Sequence, residues 1–310
     1  ADGIGREKTG QNGRRDKMKT RFGPAGTSDS FTAMGFRKNE QIPAYLKGFG
    51  LNAFEYQCGR GVRISNKAAA SFGAIAREYD IQLSLHAPYY ISLSSLEEEK
   101  RENSINYILQ SARAVKALGG TRIVVHSGSC SKMPREEALA LAMETMRRAV
   151  ERLDAEGYSD VRICPETMGK VNQLGSLDEV LSLCSIDERM LPCIDFGHLN
   201  ARTFGGLKAK ADFEAVFEAI ENRLGISRLR EYHAHFSKIQ YTENGGEKVH
   251  LTFEDTVYGP EFEPVAELTV KKGSHPTITC ESAGTQAEDA RTMRELYEAE
   301  LKKSGQDSEK

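Results

Sequence analysis

Eight times between residues 20 and 302 a short run of β-forming residues is followed by a longer stretch with helical spacing. The β-type runs fall at 21–26, 53–57, 81–86, 121–126, 161–166, 191–195, 231–239 and 276–281. The helical patterns fall near 40–47, 66–79, 97–118, 135–156, 176–183, 210–224, 261–268 and 286–302. The helical period is clearest where Ile105, Ile108, Leu109, Ala112 and Val115 share one face, and where Leu139, Ala142, Met143, Met146 and Val150 share another. Gly119-Gly120 supplies a left-handed exit from the third helix. Ser176 followed by Asp178 and Glu179 marks an acidic helix start. A strand–helix–strand order makes neighbouring strands run parallel, and eight such units close into a barrel of about 250 residues. The 310-residue chain therefore fits a single α/β domain, a (β/α)8 TIM barrel over residues 20–302, between a basic extension at 1–19 and a polar tail at 303–310. An open doubly wound sheet is the alternative.

Polar residues recur at one end of the β-type runs. His86 and His126 end the third and fourth, Glu166 the fifth, Asp195 the sixth and Glu281 the eighth. His198 lies three residues past Asp195, and His235 falls within the seventh run. In a parallel barrel all C-terminal strand ends meet at one rim, so these side chains converge. Neutral imidazoles and carboxylate oxygens are the usual ligands of Zn2+ and Mn2+. Without a cation, carboxylates crowded in one pocket repel one another and hold on to protons; two or three dications balance the charge. Glu166, in the middle of the ring, is positioned to bridge two ions. Ions about 3.5–4 Å apart activate water and stabilise a leaving oxygen in phosphodiester hydrolysis. Singly, each residue has a plainer reading: a satisfied strand-end histidine, an ion-pair partner at Glu166, an N-cap at Asp195. Recurrence at matching strand ends favours a metal site at the C-terminal rim. His275 precedes a strand and belongs to the opposite rim. His233 shares the parity of His235 but lies deeper, as a core or supporting residue.

Composition limits the partners. A net charge of -3 gives no overall basic field to draw in nucleic acid, though it leaves room for a local basic groove. The cysteines Cys58, Cys130, Cys164, Cys184, Cys193 and Cys280 form no Cys-x-x-Cys pair, and several sit in apolar runs. Buried free thiols in a reducing compartment are expected. No apolar run approaches the ~20 residues needed to cross a bilayer, and residues 1–19 lack the apolar stretch of a secretory signal. A cytoplasmic protein without a membrane partner is expected.

The motifs Leu85-His86-Ala87-Pro88-Tyr89-Tyr90, Val125-His126-Ser127-Gly128, Pro165-Glu166-Thr167, Cys193-Ile194-Asp195-Phe196-Gly197-His198 and Cys280-Glu281, in this order and spacing, resemble endonuclease IV. That family is a TIM-barrel apurinic/apyrimidinic endonuclease with a trinuclear zinc centre, and the likeness spans residues 21–284. It implies a first zinc on His86, His126 and bridging Glu166, and a second on Glu166, Asp195, His235 and Glu281. It implies a third on His198, a family Asp and His250. Glu166 and Glu281 take the catalytic roles, Glu281 also orienting the attacking water. The chain departs from the pattern where the family's Asp-x-His becomes Lys248-Val249-His250. Two metal positions are then complete and the third lacks its carboxylate. The adjacent Glu247 is one substitute, though its strand parity is wrong for a simple swap; the other is Lys248, which offers its own charge in place of the ion. The stretch His235-Phe236-Ser237-Lys238 also departs from the family's His-Leu-Asn-Asp, and Phe22-Gly23-Pro24-Ala25-Gly26 lacks the family's first-strand His.

The same resemblance implies loops that bend duplex DNA and flip a damaged nucleotide. Tyr89 matches a family Tyr, and Tyr90 stands where the family has an apolar wedge. Gln57, Arg60 and Arg63 lie in the loop after the second strand, the arginines suited to phosphate contacts. A monomer is implied. The function expected is a Zn2+-dependent (alternatively Mn2+-dependent) phosphodiesterase that cuts duplex DNA 5′ to abasic sites in base excision repair. A single-metal sugar isomerase or epimerase of the xylose isomerase-like barrels is the alternative. That class, which this chain also resembles, would use Glu166, Asp195, His235 and Glu281, with two glutamates moving protons. His86, His126 and His250 together exceed what an isomerase needs. A non-catalytic protein on an inherited barrel would bind no metal.

Overall fold

In the computed structural model, which describes residues 19–307 with side chains through residue 305, the strands carry two alternating sets of side chains. Apart from Lys19 the basic extension lies outside the described residues, as does the tail beyond 307. The elements run β1 (Arg21–Pro24), α1 (Asp29–Ala33), α2 (Ile42–Gly48), β2 (Ala53–Gln57), α3 (Asn66–Glu78), β3 (Gln82–His86), α4 (Glu98–Ala117), β4 (Arg122–Val125), α5 (Arg135–Ala155), β5 (Arg162–Pro165) and α6 (Leu177–Cys184). They continue with β6 (Cys193–Asp195), α7 (Phe196–Arg202), α8 (Lys210–Leu224), α9 (Ile226–Arg230), β7 (His233–Phe236), β8 (Ile239–Thr242), β9 (Gly246–His250), α10 (Glu263–Lys271), β10 (Thr277–Cys280) and α11 (Gln286–Asp307).

One set of strand side chains faces the helices. Phe54 of β2 meets Phe72 of α3 edge-on at 5.9 Å, and Phe236 of β7 meets Phe262 at 5.0 Å. The apolar stripe of α4, including Ile105, Ile108 and Val115, is buried in the same shell. Full burial of each such side chain stabilises by about 1.5–3 kcal/mol. The other set points along the barrel axis. There a small apolar cluster of Val124, Cys164, Leu191 and Cys193 shares the interior with buried polar groups.

Two parallel four-stranded sheets, β1-β10-β7-β6 and β2-β3-β4-β5, form the wall. They close edge to edge along two seams, through the parallel bridges Ala25↔Glu55 and Glu166↔Cys193. The result is a (β/α)8 barrel with β10 as its last strand. Gly23 makes the first seam possible, because a Cβ there would lie 1.7 Å from the Ala53 carbonyl oxygen. Each of the eight barrel strands lies within a run expected from the sequence.

Some elements depart from expectation. The run at 231–239 is broken: β7 stops at Phe236, and Ile239 begins an antiparallel hairpin, β8–β9, above the rim. Lys238 sits at the break, its buried ammonium donating to Asp255 O (2.7 Å) and Glu261 Oε1 (2.9 Å). That pull out of the sheet ends the strand. The short helices α1 and α9 had no expected counterpart, α7 answers only to the N-cap reading of Asp195, and α11 runs on through Asp307 where a loose polar tail was expected from 303. All six cysteines are buried and unpaired, and burial pushes the thiols of Cys58, Cys164 and Cys280 up to about 12. Among the described residues no helix is long and apolar enough to cross a membrane.

Candidate metal centre

Glu166 follows β5 on its inward parity and is fully buried. Its two oxygens face different partners. Oε2 lies 3.3 Å from His86 Nε2 and 3.0 Å from His126 Nε2, at the ends of β3 and β4. Oε1 lies 2.9 Å from His235 Nδ1 in β7 and 3.5 Å from His198 Nδ1 in α7. Glu281, just after β10, puts Oε1 3.5 Å from His235 Nδ1. Asp195, ending β6, puts Oδ2 3.3 Å from His198 Nδ1 and 4.0 Å from His235 Nδ1. His86, His126 and Glu166 thus form one group of ligand-type atoms, and Glu166, Asp195, His198 and Glu281 an overlapping second.

The rings are oriented from behind. His86 Nδ1 donates to Ala87 O (2.8 Å) and His198 Nδ1 to Thr167 O (2.9 Å), leaving each Nε2 toward the pocket. His250 Nδ1 is 2.9 Å from Ser237 Oγ. His235 is turned the other way, with Nε2 2.9 Å from Glu55 Oε1 and Nδ1 toward the carboxylates. A second ring nitrogen held by an outer partner fixes the tautomer and aims the free lone pair. Glu55 was not singled out in the sequence. It is fully buried, lies 2.8 Å from His233 Nε2 and accepts from Ser84 Oγ (3.2 Å). Burial raises its carboxyl, but His235 and His233 outweigh that and hold it well below the usual range. The one available signal was a carboxylate of inward parity inside an apolar strand.

The electrostatics fit divalent cations. Burial raises the Asp195 carboxyl to about 6, against the pull of His198 and with the push of Glu281 and Glu166. Burial lowers His86, but the hydrogen bond and charge of Glu166 raise it to about 9. Burial also opposes ionisation of Glu166, yet His235, His126 and His198 hold it well below the usual range. Imidazolium protons here offset buried carboxylates, a task that a dication takes over while each imidazole presents its lone pair. Asp195 carries a specific mark. Its Oδ1 accepts the His198 amide (2.6 Å), capping α7, while Oδ2 is buried and accepts no hydrogen bond. The N-cap and ligand readings of Asp195 are thus compatible, one oxygen each.

A third group joins His198, Glu247 and His250. Glu247 Oε2 lies 3.5 Å from His198 Nε2 and Oε1 3.8 Å from His250 Nε2. Of the two substitutes for the missing carboxylate, the structure brings in Glu247, against the parity expected for it, and not Lys248. Gln240 pairs with Val249 and Tyr241 with Glu247, so Lys248 has no partner and β9 is bulged. One extra residue shifts the alternation. Glu247 and His250 therefore share the inner face, while Lys248 and Val249 are exposed.

Above these groups opens a cavity of about 320 Å3. Gln57 and Tyr89 line it, with Lys170 and Gln173 from the loop after β5, which the sequence did not single out. Tyr89 is 57% exposed; Tyr90 is 44% exposed and packs edge-on against Tyr107 at 4.9 Å. Arg60 and Arg63 are exposed on the loop beside Tyr89 and do not line the cavity. His275 lies at the far end of the barrel, its amide donating to Arg230 O.

Ligand-type side chains, in groups that could hold metal ions, gather here at the C-terminal strand ends of a (β/α)8 barrel. The signature of the xylose isomerase-like TIM barrel family matches residues 43–300, and the chain belongs to that family. It is 34% identical to an uncharacterized protein of Methanocaldococcus jannaschii, over 76% of this chain and 84% of that one. It is 27% identical to a probable endonuclease 4 of Staphylococcus carnosus, over 52% of this chain and 54% of that one. The chain thus spans about half the length of the endonucleases it matches. The fold superposes on endonuclease IV from Thermus thermophilus with a TM-score of 0.62 at 17% identity, covering 86% of this chain and 94% of that one. A D-tagatose 3-epimerase-like protein gives 0.63 at 21% identity, covering 82% and 91%. At these identities the superpositions speak to the fold alone. The resemblance to endonuclease IV read from the motifs recurs in the relatives.

Proposed function

We propose that this protein is a divalent-metal phosphodiesterase of the zinc-dependent apurinic/apyrimidinic endonuclease type, cutting duplex DNA 5′ to abasic sites. The observation that carries the reading is the division of Glu166. One oxygen serves two histidines, His86 and His126, for which a single-metal barrel has no use, and the other serves His235. The endonuclease names among the relatives support the same class. His86, His126 and Glu166 would hold one ion, and Glu166, Asp195, His235 and Glu281 a second; imidazole and carboxylate suit Zn2+, with Mn2+ the alternative. Bound there, the ions would supply the Lewis acidity that phosphodiester hydrolysis needs.

The rest falls to the chain. Glu55 keeps the Nδ1 of His235 turned to the carboxylates. Glu281 reaches the cavity and is the group to orient the attacking water and take its proton. Tyr89 and Gln57 flank an extruded sugar, for which about 320 Å3 suffices. Tyr90 serves as the wedge, and Arg60 and Arg63 contact flanking phosphates. Reduced, buried cysteines suit work in the cytoplasm, and a monomer is sufficient for this chemistry.

The test is cleavage of a duplex oligonucleotide with one abasic site by zinc-loaded protein, with chelated and His126→Ala controls. Cleavage on the 5′ side, lost in both controls, is expected. A second reading rests on the completeness of Glu166, Asp195, His235 and Glu281 as a single-metal isomerase set. Inertness toward the oligonucleotide, together with turnover of ketose or aldose substrates, would replace the first reading by the second.

A further inference from the structure

We propose that Glu247 takes the place of the carboxylate missing from the third ion position that the resemblance implies at His198 and His250, and that Gly169 is the residue that admits it. The proposal deepens the metal-centre reading above and rests on it.

Three observations carry it. First, the donor atoms are disposed for one ion. His198 and His250 each have Nδ1 engaged behind the ring, by Thr167 O and Ser237 Oγ, so both Nε2 atoms are available. His198 Nε2 lies 3.5 Å from Glu247 Oε2 and His250 Nε2 3.8 Å from Glu247 Oε1, and one donor atom from each of the three residues falls within 4.8 Å of the others, close enough to share one ion. Two imidazoles and one carboxylate leave a fourth position open to water or a phosphoryl oxygen, the pattern of catalytic rather than structural zinc.

Second, the bulge at Lys248 gives the carboxylate its direction. Without the extra residue, Glu247 and His250, three apart, would face opposite sides of the hairpin.

Third, the loop after β5 is shaped around Glu247. Gly169 O accepts the Glu247 amide (3.0 Å), and Lys170 bridges to Gly246. A Cβ on Gly169 would fall 2.6 Å from Glu247 Cβ, 2.8 Å from Glu247 Oε2 and 2.9 Å from His198 Cδ2. The backbone of Gly169 is not left-handed, so its conformation does not call for glycine. What the place requires is the missing side chain, between the carboxylate and the imidazole.

The measurement is zinc content per chain after equilibration against a competing chelator, for the full chain and for Glu247→Gln, Glu247→Ala, Gly169→Ala and Lys248→Ala, each checked for native circular dichroism. Both Glu247 variants should hold one ion fewer than the unaltered protein. Gly169→Ala, which removes no donor atom, should weaken that ion at least about tenfold. Lys248→Ala should change neither number. An unchanged ion count and unchanged chelator competition in Glu247→Gln would overturn the proposal, even if Gly169→Ala failed to fold. Zinc-edge anomalous diffraction from the loaded protein should place a peak among the three side chains, and a peak elsewhere would also overturn it. The two readings part cleanly. Loss of one ion in a protein inert toward abasic DNA sinks the endonuclease reading alone. Cleavage by a Glu247→Gln variant with its full metal complement sinks this proposal alone.

Discussion

Glu166 and Asp195 each divide their two oxygens between two tasks, and a buried carboxylate used this way tolerates no substitute. Replacing His86 by Ala takes away one partner of Glu166 Oε2 and should lower the proposed cleavage of abasic DNA about 100-fold or more, in the manner of a ligand loss. The circular dichroism should stay native, because His86 tops a strand whose outward residues carry the packing. Full activity in His86→Ala would remove it from the site. Glu55 acts one step further back. Glu55→Gln keeps the volume but replaces the charged acceptor beside His235, and zinc affinity should fall about 10–100-fold in the chelator competition. Unchanged affinity would mean that His235 needs no such support. At this scale the sequence was legible wherever a polar residue ended an apolar strand, as at His86, His126, Glu166 and Glu281. Glu55 sits mid-strand, where a carboxylate reads as an anomaly. Glu247 depends on a bulge visible only once β8 and β9 are paired.

Helix starts and hairpins show what local chemistry contributes. Ser176 and Glu179 form a reciprocal capping box on α6, and Glu179 also pairs with Arg135 of α5. Burial raises the Glu179 carboxyl, but Arg135 and the amides of Gly175 and Ser176 bring it from its ordinary 4.5 down to about 2. A carboxylate depressed on folding stabilises the protein above its unfolded value and loses that contribution as pH falls through its folded one. Glu179→Gln should therefore cost on the order of 2 kcal/mol at neutral pH. The gap from the unaltered protein should close in urea titrations as pH drops from about 4.5 toward 2. A gap independent of pH would assign the effect to packing. The acidic start of α6 was readable, as were the eight barrel strands, because capping and burial leave short-range marks. The helix α7 was legible only through the N-cap reading of Asp195, because it starts directly on the strand end with no loop between. The β8–β9 hairpin was not legible, since the buried Lys238 that ends β7 finds its partners 17 and 23 residues further on.

For the whole molecule, metal and fold should be thermodynamically linked, since ions that bind only the folded chain add stability. At free zinc about 100-fold above a site's dissociation constant, each ion contributes about 2.7 kcal/mol. Chelation should accordingly lower the melting temperature by several degrees, and His126→Ala should blunt the difference. Equal melting with and without chelator would mean that the ligand groups do not hold metal in the folded protein. Closure of the barrel was legible from the eightfold alternation alone, but its two seams were not, since nothing local marks which strand pairs meet through only a single bridge. One of those seams is stitched at Glu166↔Cys193. The half-sheet on one side of it supplies His86, His126 and Glu166; the half-sheet on the other supplies Asp195, His235 and Glu281. Ions held by both sets would act as a clasp across the joint. Stripping them should leave each half folded while the joint breathes, so that amide hydrogens at Thr167 and Asp195 trade for deuterium well before those inside β3 or β7.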